Sequence, residues 1–385
     1  MKKISLAVAS LVLYTSAFSD SITIDDAFKN GEVEGTVALY GQKIKSKDHS
    51  IANDLAYGNG HLRLAYTTDS FYGFNAKIEA KGNLKLGEKH KRDYKDGAPF
   101  ENNALFTQAY LQYELDNFIS IKAGRYEGEY EWLTDYQQGA VAEILAIPDT
   151  VVALGYSNKK AESGIDLSED FHKPELTDKG VYFIDIQNKS IDTITFNPYY
   201  YEMPDFGRFY GLKAIFDADY FGITAQYAKS NADNTQYTFE DENGNSYLDD
   251  LEDGSIAHIE GIVKIEDFEV FAGYAKTDKD GGANMIASFG DTISPFEDGD
   301  YVYDPDAKTW YIGANYSIAG VELSALYGIT KHGIGSDLKT KELNLSIGYG
   351  ITDSLGVSFM YVNVDNKNFD EVDYNKYIAA VEYNF

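Results

Sequence analysis

The sequence predicts an all-β fold: a transmembrane antiparallel β-barrel of about 18 strands, with short turns at one end and long loops at the other. Three observations predict it. Apolar and polar residues alternate with a period of two along the whole chain, the connections alternate between short and long, and the last strand, Tyr377 to Phe385, ends on an aromatic residue. A period of two is the period of a strand, and one greasy face against one wetter face describes a strand between two media. Taken alone, that last stretch also fits the edge strand of a soluble sandwich, so the rest of the chain has to discriminate.

The chain opens with Met1-Lys2-Lys3, an apolar run from Ile4 to Tyr14, and the small-residue site Ala17-Phe18-Ser19. A charged start, a short apolar core and small residues two apart describe a secretory signal peptide over residues 1–19, with cleavage expected after Ser19. The run is too short for a bilayer-spanning helix, and a buried first helix would have no use for the two lysines. Residues 20–385 are thereby assigned to the barrel. No later segment has the charge-free length of a membrane helix, so hydropathy alone reads as a soluble secreted protein. A barrel escapes that test because half of every strand faces water.

The strands follow in order. Val33, Val37 and Leu39 alternate with Glu34, Thr36 and Ala38; Leu62, Leu64 and Tyr66 with His61, Arg63 and Ala65; Phe74, Ala76 and Ile78 with Asn75, Lys77 and Glu79. Next come Ala109, Leu111 and Tyr113 against Gln108, Gln112 and Glu114, and Ile119, Ile121 and Ala123 against Ser120, Lys122 and Gly124. Midway, Phe221, Ile223, Ala225 and Tyr227 oppose Gly222, Thr224 and Gln226. Late in the chain, Trp310, Ile312 and Tyr316 oppose Tyr311, Gly313 and Asn315, and Leu343, Leu345 and Ile347 oppose Glu342, Asn344 and Ser346. Segments of about ten residues are what a tilted strand needs to cross the hydrocarbon.

Tight connections fall near Asp69-Ser70, Asp116-Asn117, Pro148-Asp149, Lys189-Ser190, Ala218-Asp219, Glu266-Asp267, Ala319-Gly320 and Asp353-Ser354. Longer ones fall near 44–56, 85–103, 127–137, 158–178, 202–206, 230–254, 277–307, 331–340 and 365–373. Segregated loop lengths are the barrel rule, short periplasmic turns and long extracellular loops; a sandwich or propeller has no reason for them. About 18 strands would enclose an aqueous channel.

Composition agrees. Tyr (32) and Phe (22) suit the two aromatic girdles of a barrel and exclude a disordered acidic chain. Cysteine is absent, so the fold must be large enough to hold without disulfides. The formal charge of −29 repels nucleic acid and draws cations.

If apolar positions face lipid, their neighbours line the lumen. That parity sends Arg63, Lys77, Lys81, Lys122, Lys213 and Lys264 inward, with Glu34, Glu79, Glu114, Glu143, Asp185, Glu260, Glu269, Glu322, Glu342 and Glu382. Charge rings set ion preference, and the acidic excess predicts mild cation preference. Any single member of the set could equally be a paired, wall-wetting charge.

Three pieces point to a family: the mature start Ile24 to Gly35, the run Ala123-Gly-Arg-Tyr126 into the acidic stretch Glu127 to Tyr136 followed by Gln138-Gly139, and the terminal Phe385. Together they resemble the major outer-membrane porins of the epsilonproteobacteria, a branch similar to the OprD-like porins. The resemblance implies a Gram-negative outer-membrane location, an 18-stranded and commonly trimeric pore for small hydrophilic solutes and ions, and contact with lipid and lipopolysaccharide. It also implies a terminal strand read by the barrel-insertion machinery and a third loop folded inward over 127–137. By position, Glu127, Glu129, Glu131 and Asp135 would then sit at the constriction. OprD-like pores carry an arginine ladder for anionic substrates, whereas this chain has Arg63, Arg92, Arg125 and Arg208 alone, a departure that counts against carboxylate specificity.

No cofactor is required. A possible Ca2+ site lies in the loop 230–254, where Asp241, Asn243, Asn245, Asp249 and Glu252 fall at positions 1, 3, 5, 9 and 12 of the calcium-loop pattern and Tyr247 offers its carbonyl at position 7. Ser246 stands where that pattern has glycine, and a solvated acidic loop reads equally well. The six histidines are scattered without a zinc or nucleophile motif, which argues against an enzyme. A rim enzyme, an adhesin or a substrate-specific OprD-like channel stand as alternatives.

Overall fold

The computed structural model describes residues 21–385 apart from 51, 99, 175–177, 234–235, 241–245, 251, 288–289, 291, 334–337 and 368–371, and describes the backbone alone at 236–240, 246–250, 285–286 and 300. The signal peptide expected over residues 1–19 lies outside the described residues. A short helix α1 (Ile24–Lys29) precedes the first strand; Thr23 caps it by accepting the Asp26 N–H at 3.1 Å, and Asp25 and Asp26 lie in its positive first turn.

The strands are β1 (Glu32–Ser46), β2 (Leu55–Thr67), β3 (Phe74–Glu88), β4 (Ala104–Leu115), β5 (Ile119–Glu127), β6 (Tyr136–Ile147), β7 (Thr150–Ala161), β8 (Val181–Ile191), β9 (Ile194–Met203) and β10 (Gly207–Asp217). Then follow β11 (Phe221–Ala232), β12 (Gln236–Glu240), β13 (Ser246–Asp250), β14 (Gly254–Ile265), β15 (Phe268–Thr277), β16 (Lys308–Ile318), β17 (Val321–His332), β18 (Leu338–Gly350), β19 (Leu355–Asn366) and β20 (Tyr374–Asn384). Eighteen of them form one antiparallel sheet, each paired with its chain neighbours, while β12 and β13 make a separate hairpin in the long loop between β11 and β14. The sequence predicts loop here, because the alternation in Gln236-Tyr-Thr-Phe-Glu240 covers only five residues, too few for a strand that crosses the hydrocarbon.

The sheet closes on itself. β1 pairs with β20 from Thr36↔Asn384 to Ser46↔Tyr374, and Gly35 and Phe385 exchange both backbone hydrogen bonds at 2.8 and 3.0 Å. A closed sheet leaves no edge, which is the condition for burying a strand's backbone in lipid. Among the described residues no helix is long and apolar enough to cross a membrane; the strands cross.

Alternation decides which face meets lipid. Leu39, Leu62, Leu64, Ile78, Leu111, Ile121, Ile223, Ile312, Leu345 and Val381 are large, apolar and exposed on the outer wall. Their neighbours Ala38, His61, Glu79, Gln226, Tyr311 and Asn344 are buried inside. An apolar band of this extent is untenable in water and ordinary in hydrocarbon.

Five of the short turns at the end that holds both termini contain residues at positive φ, namely Asn117, Asp149, Thr193, Glu266 and the Ala319-Gly320 pair (49° and 80°), the left-handed geometry that matches strand twist. The turn expected at Lys189-Ser190 falls instead at Asp192-Thr193, since β8 keeps its pairing to Ile191.

Candidate pore constriction

The connection between β5 and β6, residues 128–135, turns back on itself. Gly128 N–H donates to Asp135 O at 2.6 Å, and Tyr130 and Leu133 exchange backbone bonds at 3.2 and 3.3 Å, leaving Glu131 and Trp132 at the tip. That tip is pinned to the inner wall. Trp132 and Leu133 are 1% and 0% exposed, and the Trp132 ring meets Tyr199 and Tyr303 edge-on. The Glu131 N–H donates to Asp185 at 3.1 Å, while its carboxylate accepts from Lys213 (3.0 Å), Gln226 (2.8 Å) and Thr292. Asp185 is held in turn by Asn197 and Tyr201, each at 2.6 Å. Nearby, Tyr130 donates to Glu143 at 2.9 Å; burial, with the Glu143 carboxylate, pushes its phenol well above the usual range.

A second connection, 278–307, folds into the barrel as well. Its Ile293, Phe296, Val302 and Tyr303 join Trp132 and Leu133 in one apolar core with Phe183, Tyr201, Phe209, Ile256 and Leu326 of the wall. Farther along, Glu297 and Asp298 reach Lys376 of β20 (3.3 and 2.7 Å), and their N–H groups donate to Glu342 of β18 (2.8 and 3.2 Å). A third, 162–180, crosses toward β2 and β3, where Ser163 O accepts from Lys81 (2.8 Å) and Ile165 O from Asn59 (2.8 Å).

Between these loops and the wall of β19, β20 and β1 lies a cavity of about 490 Å3. Glu127, Glu129, Asp135, Glu162, Asp166 and Glu297 line it from the loop side and Glu382 from β20, against Lys81 alone among the described basic residues. Lys160 is shared between Asp135 (3.5 Å) and Glu162 (3.0 Å), so one cation answers two carboxylates, as Lys376 does. Glu127, Glu129 and Glu382 make no ion pair among the described residues.

The expected site residues divide. Glu127, Glu129 and Asp135 open on the cavity, but Glu131 turns away into the wall at 7% exposure. The resemblance placed all four acidic residues at the constriction by position alone; the tight turn at Tyr130–Leu133 sends Glu131 to the wall instead. Arg63 lies inside yet is held by Glu79 (2.8 Å) and Glu34 (3.0 Å), and Glu79 also accepts from Thr107 and Gln108. Lys77 is half-buried on β3, Lys122 lies over the Tyr110 ring at 5.0 Å, and Glu114 is exposed near the end of β4. Glu260 accepts the Tyr311 hydroxyl at 2.6 Å, which also meets His258 at 2.8 Å. Of the calcium-loop residues, Asp241, Asn243 and Asn245 lie outside the described residues; Tyr247 and Asp249 lie on β13, and Glu252 is exposed beyond it. Sequence reasoning missed Glu162, Asp166 and Glu297. The usable signal was apolar residues in supposedly external loops, Ile165 and Leu167 in one and Ile293, Phe296 and Val302 in the other.

The fold matches that of several solved structures. The crystal structure of Pseudomonas aeruginosa OccK8 (OprE) is similar at a TM-score of 0.73 and 12% identity, covering 93% of this chain and 99% of that one. Acinetobacter baumannii OccAB1 gives 0.73 and 11%, covering 93% and 97%, and P. aeruginosa OccK3 (OpdO) gives 0.68 and 16%, covering 94% and 97%. No curated protein sequence matches. A family model described as "Putative outer membrane protein" matches residues 48–333, well over half of the chain, and to that family of outer-membrane proteins this closed 18-stranded barrel belongs.

Proposed function

We propose that the protein is an outer-membrane porin whose water-filled channel passes small hydrophilic solutes by diffusion and prefers cations. The acid-lined cavity carries this reading: seven carboxylates border it against one lysine, and the neighbouring cations Lys160 and Lys376 are each already shared between two carboxylates. Fixed charge at a narrow point with low-dielectric walls concentrates counter-ions and repels co-ions. An OprD-type carboxylate channel would need exposed cations here, and Arg63 is held by two glutamates.

Planar-bilayer recording in a potassium chloride gradient tests it. The wild-type reversal potential is expected on the potassium side, and Glu127→Gln with Glu129→Gln and Asp135→Asn moves it toward chloride. A wild-type channel that prefers chloride overturns the reading. Assembly as a homotrimer, which the likeness to OprD-like porins supports, would show as closures in three equal steps.

A further inference from the structure

The wall facing those carboxylates is apolar, which a water-filled lumen does not require. Tyr40 of β1 is register partner to Ala380 of β20, and Ile378 of β20 to Met360 of β19, so four inward positions on three adjacent strands form one patch. All four line the cavity. Inward positions of a barrel are ordinarily polar because water must wet them. Here Tyr40, Ala380 and Met360 pack in part against Tyr57, Tyr94, Phe100 and Val362, half-buried Ile378 carries most of the apolar surface left to the passage, and such a surface suits an apolar occupant. Along the inward face of β20 the order is Lys376, Ile378, Ala380, Glu382, a greasy centre between a cation already held by Glu297 and Asp298 and a carboxylate without an ion pair among the described residues. At about 3.3 Å per residue, Ile378 to Glu382 spans roughly 13 Å. A solute with a short hydrocarbon part and a positive end fits that sequence of surfaces; a bare metal ion uses only the carboxylates.

We propose that the constriction selects, among cations, organic ammonium ions bearing an apolar group, the ammonium at Glu382, Glu127 and Glu129 and the hydrocarbon on Met360, Ile378, Ala380 and Tyr40. This rests on the cation-preferring pore proposed above and names its substrate class. Alkyl contact with the patch lengthens residence, so a permeating alkylammonium ion interrupts the potassium current more as its chain grows. A fully buried methylene is worth about fourfold in affinity; a chain lying on one wall gains about twofold per methylene.

The test is single-channel recording of the full mature protein in potassium chloride with methyl-, ethyl-, propyl- and butylammonium added in turn. Expected is current block that deepens about twofold per methylene in the wild type. In Met360→Gln with Ile378→Asn the chain-length dependence is lost while potassium-over-chloride preference stays, and heat-modified gel mobility reports that this variant is folded. Block independent of chain length in a cation-preferring wild type overturns this inference alone. Chain-length dependence that survives in a folded double variant overturns the assignment to this patch. A chloride-preferring wild type overturns the proposed function and this inference with it.

Discussion

The carboxylate of Glu131 is a buried charge whose worth depends on its partners. Lys213, Gln226 and Thr292 all donate to it, joining the 128–135 loop, the β10–β11 wall and the 278–307 loop at one point. Breaking a buried pair by removing one partner costs about 3–5 kcal/mol because the other charge is left uncompensated. Lys213→Met should therefore loosen the tip of the loop without opening the sheet, whose strands are joined by their own backbone bonds. The expected result is larger and noisier single-channel conductance with unchanged far-ultraviolet circular dichroism. Unchanged conductance and noise would show that the Lys213–Glu131 pair does not hold the tip. Nothing in the sequence around Glu131 distinguishes it from Glu127 and Glu129; its partners lie 82, 95 and 161 residues away.

At the scale of elements, closure depends on how β20 meets β1. A Cβ on Gly35 would overlap the Phe385 ring, so glycine is needed there for the terminal aromatic to lie across the first strand, with Tyr383 stacked beside it at 6.1 Å. Gly35→Leu should displace the ring at a cost of about 1–3 kcal/mol, the usual penalty for overpacking. The check is the temperature at which the folded barrel loses its heat-modifiable gel mobility, expected to fall; an unchanged temperature would mean that the ring contributes nothing to closure. The strands themselves were legible from sequence: strict alternation fixes both the element and its outward face, as in Leu62-Arg63-Leu64, where a slip of one residue would put the guanidinium in lipid. Turns were legible from Asn, Asp and Gly at their centres. The inward loops were not. Residues 162–167 and 284–303 carry no period, and whether such a loop enters the lumen depends on the matching surface, here Asn59, Lys81, Glu342 and Lys376, dispersed along the chain.

For the whole molecule, an 18-stranded wall does not imply an open bore. The apolar core formed by the 128–135 and 278–307 loops lies against strands from β5 to β17, so the passage left is off-centre, beside β19, β20 and β1. The second loop has a narrow neck: Ala283 N–H donates to Tyr303 O at 2.7 Å. Residues 285–301 can thus be replaced by a short Gly-Ser linker without stretching the barrel. Removing them takes away Ile293 and Phe296 from the core, Glu297 from the cavity rim and Asp298 from Lys376. Because every strand keeps both neighbours, the wall stays paired and the protein should still insert and resist detergent. Conductance should rise several-fold, larger sugars should enter in liposome swelling, and cation preference should weaken as both the field of Glu297 and the low-dielectric wall behind it are lost. Conductance and sugar cut-off left at wild-type values would mean that the loop does not bound the passage and that the pore runs elsewhere in the barrel.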